Sequence, residues 1–235
     1  MSLQDAVSKI VRIHKPMTIL ELGSGTGATS CRIAKENPKS SVLAVDMRDS
    51  MIEEGEKLSK TLGVSNVSFK CREMVEYVSE QKEQRDFVLL LYSFHHVPDP
   101  AKNKTEFLKL CKQLLTKKGK LCIADVFIPE TSNKIELDSL LDGMWARRRL
   151  EAYSSVFWRA LNGGDEEALN FAKSAATFSM KKESEAGELV KDRNNEYLVS
   201  TSWLHSAAQS IGYCVELLEP INVVGDSLIL LSNNE

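Results

Sequence analysis

Along most of the chain, short unbroken apolar runs alternate with stretches whose apolar residues recur at helical spacing. Residues 1–16 place Ala6, Ile10, Val11 and Ile13 on a rough stripe and predict a short helix ended by Pro16. Met17 to Leu22 reads as a buried strand, stopped by Gly23, Gly25 and Gly27 before a helix that starts near Ala28 and ends before Pro38. Its inner face is marked by Ala28, Cys31 and Ala34 or Lys35. Ser41 to Val45 is the next strand, closed by Asp46, and Ile52 to Leu62 the next helix, ended by Gly63. Val64 to Phe69 predicts a third strand, and Tyr77 to Arg85 a polar helix. The dense run Asp86 to Leu91 suits a central parallel strand covered on both faces. A helix follows on Phe107, Leu108, Cys111, Leu114 and Leu115, then a turn at Lys117-Lys118-Gly119-Lys120 and a strand from Leu121 to Val126.

This alternation predicts an α/β fold with a doubly wound, mostly parallel sheet. It breaks at residues 129–200, where mainly helical sequence stands in place of one connecting helix. A first helix of that insertion, about Asn133 to Tyr153, ends near the basic run Arg147-Arg148-Arg149, and Asn162-Gly163-Gly164 interrupts the chain before the next. A last helix, Trp203 to Ile211, precedes Tyr213 to Leu218 and Ser227 to Leu231, two strands predicted to form an antiparallel hairpin. The chain therefore reads as an α/β core (1–128), a helical insertion serving as lid or dimer contact (129–200), and a helix and hairpin that complete the core (201–235).

The glycine turn carries the first chemistry. Alternate glycines let a ligand approach the backbone and aim the N–H groups of the next helix at it. Gly23-Ser24-Gly25-Thr26-Gly27-Ala28 fits G-x-G-x-x-A, with Asp46 one strand further on to hold a ribose, so a dinucleotide is one ligand class. S-adenosylmethionine (SAM) is the other. Glu21, an acid two places before G-x-G-x-G at a strand end, resembles the first motif of the class I SAM-dependent methyltransferases. A buried carboxylate there needs a cationic partner, and the methionyl ammonium of SAM is one.

That resemblance covers residues 17–126 and the closing hairpin, and it implies the Rossmann-like methyltransferase sheet of seven strands. It implies SAM across the ends of the first, second and fourth strands, with S-adenosylhomocysteine as product. Glu21, Gly23, Ser24, Gly25 and Gly27 would hold the methionyl side, and Asp46 both ribose hydroxyls. Met47 and Met51 would lie near the adenine face, Glu73 and Met74 at its amino group, and Leu91 at the fourth strand end; core packing is the other reading of Met51. Tyr92-Ser93-Phe94-His95-His96 resembles the segment beneath the transferring methyl, with Tyr92 or His95 nearest the substrate and His96 in packing or the turn. An oxygen, nitrogen or carbon nucleophile on a small molecule is the implied acceptor, with His95 as the candidate base. Trp145, Arg148, Tyr153 and Trp158 could floor a pocket for an acidic or planar substrate, or be the insertion's own core and surface. The insertion is also similar to that of tRNA-uridine carboxymethyltransferases, which use carboxy-SAM. A SAM-binding protein without methyl transfer and an NAD-dependent oxidoreductase are the remaining readings.

Composition narrows these classes. A length of 235 residues with 43% apolar content suits one core with an insertion. A net charge of −3 argues against a nucleic-acid binder working by broad electrostatics. No run has the length of a membrane span and the N-terminus lacks signal-peptide shape, so a cytoplasmic protein is expected. Cys31, Cys71, Cys111, Cys122 and Cys214 are scattered and read as reduced thiols, with no metal-ligand spacing among them. The expected partners are a small-molecule substrate and a second copy bound through the insertion, with neither nucleic acid nor membrane.

Overall fold

Each apolar run becomes a strand: β1 Thr18–Leu22, β2 Ser41–Asp46, β3 Val67–Cys71, β4 Arg85–Leu91, β5 Leu115–Val126, β6 Tyr213–Pro220 and β7 Asp226–Asn233. The helices between them are α1 Leu3–His14, α2 Ala28–Glu36, α3 Asp49–Leu62, α4 Met74–Glu80, α5 Thr105–Gln113 and α6 Thr201–Ser210. The protein is seen here as a computed structural model that describes residues 2–98, 100–128, 198–221 and 226–233. It divides into two compact units, Met1–Ile128 with Tyr197–Glu235, and Pro129–Glu196. The second unit lies outside the described residues, and with it the predicted insertion helices and Trp145, Arg148, Tyr153 and Trp158.

The strands form one seven-stranded sheet in the order β3-β2-β1-β4-β5-β7-β6. β1 pairs in parallel with both β2 and β4, whereas β7 runs antiparallel between β5 and β6. Chain order reverses at β1, so the crevice outside the carboxyl ends of β1 and β4 is where an open sheet of this kind receives a ligand.

Period-two alternation splits the core cleanly. In β4, Val88 and Leu90 join a cluster with Tyr77, Phe107, Leu108 and Leu204 of α4, α5 and α6, while Phe87, Leu89 and Leu91 join Leu3, Val7, Val11 and Ile33 of α1 and α2. Both faces of the central strand are covered, as its unbroken apolar sequence requires.

One buried position and several boundaries differ from expectation, each for a tertiary reason. The buried stripe of α1 runs Leu3, Val7, Val11 at every fourth residue, which turns Ile13 outward to 61% exposure. Val64 belongs to the turn that ends α3, its N–H bonded to the Ser59 carbonyl, so β3 starts at Val67. α4 begins earlier, at Met74, because Glu73 caps it, and it ends before Arg85, which is already paired with Leu115 in the sheet. The lysine-rich turn is a bulge within β5: pairing jumps from Arg85↔Leu115 to Phe87↔Lys120. Gly119 is required in that bulge, since a Cβ there would lie 2.9 Å from the Arg85 carbonyl oxygen.

Candidate active site

The glycine turn leaves β1 and is tied at once to β2. Gly23 and Ser24 N–H both donate to the Val45 carbonyl at 2.8 and 2.9 Å, and Gly25 N–H donates to Asp46 Oδ2 at 2.8 Å. The Arg48 N–H binds the other Asp46 oxygen at 3.0 Å, which fixes a carboxylate only 8% exposed at the end of β2. All three glycines have positive φ, but for different ends. A Cβ on Gly23 would strike Ser93 Cβ at 2.5 Å, and one on Gly27 would strike the Phe69 ring at 2.4 Å; one on Gly25 meets nothing within 4 Å. Only Gly25 faces open space, where a ligand can approach the backbone.

This separates two substitutions. Gly25→Ala is expected to lose about 1–2 kcal/mol of stability from its left-handed backbone alone, yet to obstruct the ligand. Gly27→Ala adds the collision with Phe69 and should cost about 3 kcal/mol or more. Denaturant titration of both variants checks the order, and equal losses would contradict it.

Glu21, in β1, is 2% exposed. Its carboxylate accepts from Ser30 Oγ, which α2 presents one turn above. Burial is the main cause that raises its pKa from 4.5 to about 7, Ser30's hydrogen bonds oppose the rise, and the like charge of Asp46 adds to it. An ionised Glu21 therefore lacks sufficient compensation from the chain itself. The Ser24 hydroxyl, also within this turn, is buried with no partner among the described residues. A buried acid needing a cation, an unpartnered hydroxyl and a backbone open at Gly25 fit the methionyl end of SAM.

The acceptor side is built after β4. Tyr92 holds φ at 51°, a costly conformation for a tyrosine, and its hydroxyl donates to Asp226 Oδ2 at 2.8 Å, at the start of β7. Ser93, seated against Gly23, donates to the Leu22 carbonyl at 2.7 Å and so locks this segment to the glycine turn. Phe94–His96 then form a short 3₁₀ turn. The Asp125 carboxylate, 1% exposed at the end of β5, accepts the His95 backbone N–H at 3.0 Å and faces His95 Nδ1 at 2.8 Å. With Nδ1 donating, Nε2 is left as the basic nitrogen. His96 is exposed, not packed inside, with its ring 4.0 Å from that of His95.

The remaining sequence candidates fall in varied surroundings. Met47 is 68% exposed just beyond β2, and Met51 is half-buried on α3. Glu73 Oε2 accepts the Glu76 N–H at 2.8 Å as the cap of α4. Met74 and Leu91 are buried, one in each core cluster. Sequence reasoning missed Asp125, Asp226 and Ser93. Asp125 carried a signal, because it is a lone acid near the end of an apolar strand, as Glu21 is.

The sheet order with its antiparallel last strand, the acid before the glycine turn and the acid at the end of β2 together match the pattern of the class I SAM-dependent methyltransferase fold. A family profile described as a methyltransferase domain matches residues 13–157, and the chain belongs to that family. Over 101 residues, 43% of this chain, it is 33% identical to a malonyl-[acyl-carrier protein] O-methyltransferase of Anoxybacillus flavithermus. Over the same length it is 28% identical to a ubiquinone biosynthesis O-methyltransferase of Acinetobacter baumannii. The matched segment spans only 36% and 40% of those two relatives. Among solved structures, the YcgJ protein of Bacillus subtilis superposes with a TM-score of 0.62 at 13% identity, covering 99% of each chain. The magnesium protoporphyrin IX methyltransferase from Synechocystis PCC 6803, determined with bound S-adenosylhomocysteine, gives 0.60 at 12% identity over 98% of this chain and 82% of that one. At such identities the likeness is one of fold. Family membership removes the dinucleotide reading and makes SAM the cofactor. No helix among the described residues is long and apolar enough to cross a membrane.

Proposed function

We propose that the chain transfers the methyl group of SAM to an oxygen of a small-molecule acceptor, with His95 taking the acceptor's proton. One observation carries the reading: Ser93 joins the glycine turn directly to the turn that bears His95, so the cofactor crevice and the imidazole paired with Asp125 share one edge of the sheet. The two relatives above are both named O-methyltransferases, which favours oxygen over nitrogen or carbon.

SAM supplies a methyl group already activated on a sulfonium. The chain's residues hold, orient and deprotonate. Glu21 would pair with the ammonium and Asp46 with the ribose hydroxyls, with Met47, Met51, Glu73, Met74 and Leu91 toward the adenosine. Alignment of acceptor and methyl can supply up to about 7–11 kcal/mol, and proton removal at His95 Nε2 a further ~100- to 10,000-fold. Trp145, Arg148 and Tyr153, which lie outside the described residues, stay sequence candidates for acceptor binding, and the insertion a candidate lid or dimer contact. A net charge of −3 favours a small molecule over nucleic acid. Five free cysteines support a reducing, cytoplasmic setting.

Incubation with methyl-labelled SAM and a panel of phenols, carboxylic acids and amines tests this reading. Label in O-methyl products is expected. Label on amines alone, or tight SAM binding with no product from any class, would overturn it.

A further inference from the structure

Lys104 is a residue that the methyl-transfer reading leaves unused, and nothing in its surroundings resembles a surface lysine. It ends the turn before α5 with no exposed surface, its Nζ donates to the Phe94 carbonyl, and it lies 4.3 Å from the centroid of the Phe94 ring. The peptide that joins Phe94 to His95 is thus gripped at both ends. Its oxygen receives the Lys104 ammonium, and its N–H is bound by Asp125 Oδ2 at 3.0 Å. A peptide dipole is negative at oxygen and positive at hydrogen, so a cation at one end and an anion at the other reinforce each other through it.

We propose that Lys104 is a positioning residue that shares Asp125 as counter-ion with His95, and that its charge keeps the His95 imidazole neutral and able to accept a proton. Asp125 is almost wholly buried, and its carboxylate meets Lys104 through one peptide and His95 directly. With Lys104 charged, the anion is already compensated. Without that charge, His95, which already faces Asp125 directly, is the described group placed to neutralise it, and imidazolium is favoured.

Other titratable groups stand around this turn: His96 beside His95, Tyr92 beyond β4, Asp226 opposite Val126 in β7, Lys102 in the turn before α5, and Glu21 in β1. Arg85 and Lys104 are the buried cations among the described residues, and Arg85 occupies the opposite end of β4. Burial lowers the Lys104 pKa from 10.5 to about 7, against the pull of Asp125's charge, which brings its titration into the range of an imidazole.

The assignment rests on His95 as the base, but its test observes the imidazole itself and needs no turnover. The His95 ring resonances are followed by NMR against pH in the intact protein, in Lys104→Met and in Lys104→Gln, the second of which can still donate to the Phe94 carbonyl without charge. The midpoint of His95 is expected to rise by about one unit in both. Adding Asp125→Asn should remove the rise. A change under about half a unit in folded variants, or a fall, would overturn the proposal. If neither variant folds, the intact protein decides: a His95 curve broadened by coupling to the Lys104 Nζ resonance supports it, and two independent curves overturn it. For methyl transfer, the acid limb of kcat should move up in pH in step with the NMR midpoint while SAM affinity holds. An NMR shift in a protein that transfers no methyl would uphold the network and sink the catalytic reading alone.

Discussion

Glu21→Gln is expected to weaken SAM binding by about two orders of magnitude or more and, at the same time, to make the cofactor-free protein more stable at pH 8. Both effects come from one buried carboxylate. With its folded pKa raised to about 7 against an ordinary 4.5, the folded state binds more protons than the unfolded state between those values. Stability is therefore highest below about pH 4.5 as far as this group is concerned, and falls as pH rises through 7, by about 3 kcal/mol in all. Gln cannot ionise and avoids that loss. The gain should be visible as a higher Tm of the variant at pH 8 and no comparable gain at pH 5. A variant destabilised at both pH values, or one that binds SAM as the natural protein does, would contradict the role of Glu21. The same group makes affinity pH-dependent: Glu21, its pKa raised to about 7, is mostly protonated at pH 6, so SAM affinity should rise severalfold toward pH 7.5. It should decline again as the ligand's ammonium, ordinarily near pKa ~8, loses its proton.

Asp125→Asn should lower kcat by about 100-fold or more with little change in SAM affinity. The two oxygens of Asp125 accept from three N–H groups, those of the His95 backbone, His95 Nδ1 and Val126. An amide must turn its own NH2 toward at least one of these donors. If it faces Nδ1, the ring shifts its proton to Nε2 and can no longer act as a base; if it faces a backbone N–H, a buried donor is left unpaired at a cost of about 1–3 kcal/mol. His95→Ala should lose a similar factor in kcat. Acceptors acidic enough to be ionised at the assay pH need no base, so both variants should approach natural rates with them. A uniform loss across acidic and weakly acidic acceptors would show that the pair positions substrate and does not move a proton.

What could be read in advance follows from where each signal is stored. Glu21, Gly25 and Asp46 were legible because an acid that ends a buried strand beside a glycine turn is a local pattern, complete within a few residues, that only a ligand-binding turn readily requires. The closing antiparallel strands were legible because Pro220 and Gly225 bracket a short connection. Gly23 and Gly27 have a further reason to be glycine that the turn pattern does not show. They make room for Ser93 and Phe69, side chains that arrive from elsewhere in the sheet, and no local pattern announces them. Lys104 was hidden for a related reason: in Lys102-Asn103-Lys104 it reads as one of two surface lysines, and only the packing of the turn beneath Phe94 buries it. Ile13 erred in the opposite sense, since residue type suggested burial and the phase of α1 overruled it.

Calorimetric titration of the protein with SAM, S-adenosylhomocysteine, carboxy-SAM and NADH in parallel tests the central claim most directly. The site described here predicts micromolar binding of the first two, with about one proton released per SAM at pH 6 and no net release at pH 8. Binding of carboxy-SAM alone would move the chemistry to carboxymethyl transfer, and binding of NADH alone would contradict the assignment of Glu21 and the glycine turn to a sulfonium cofactor.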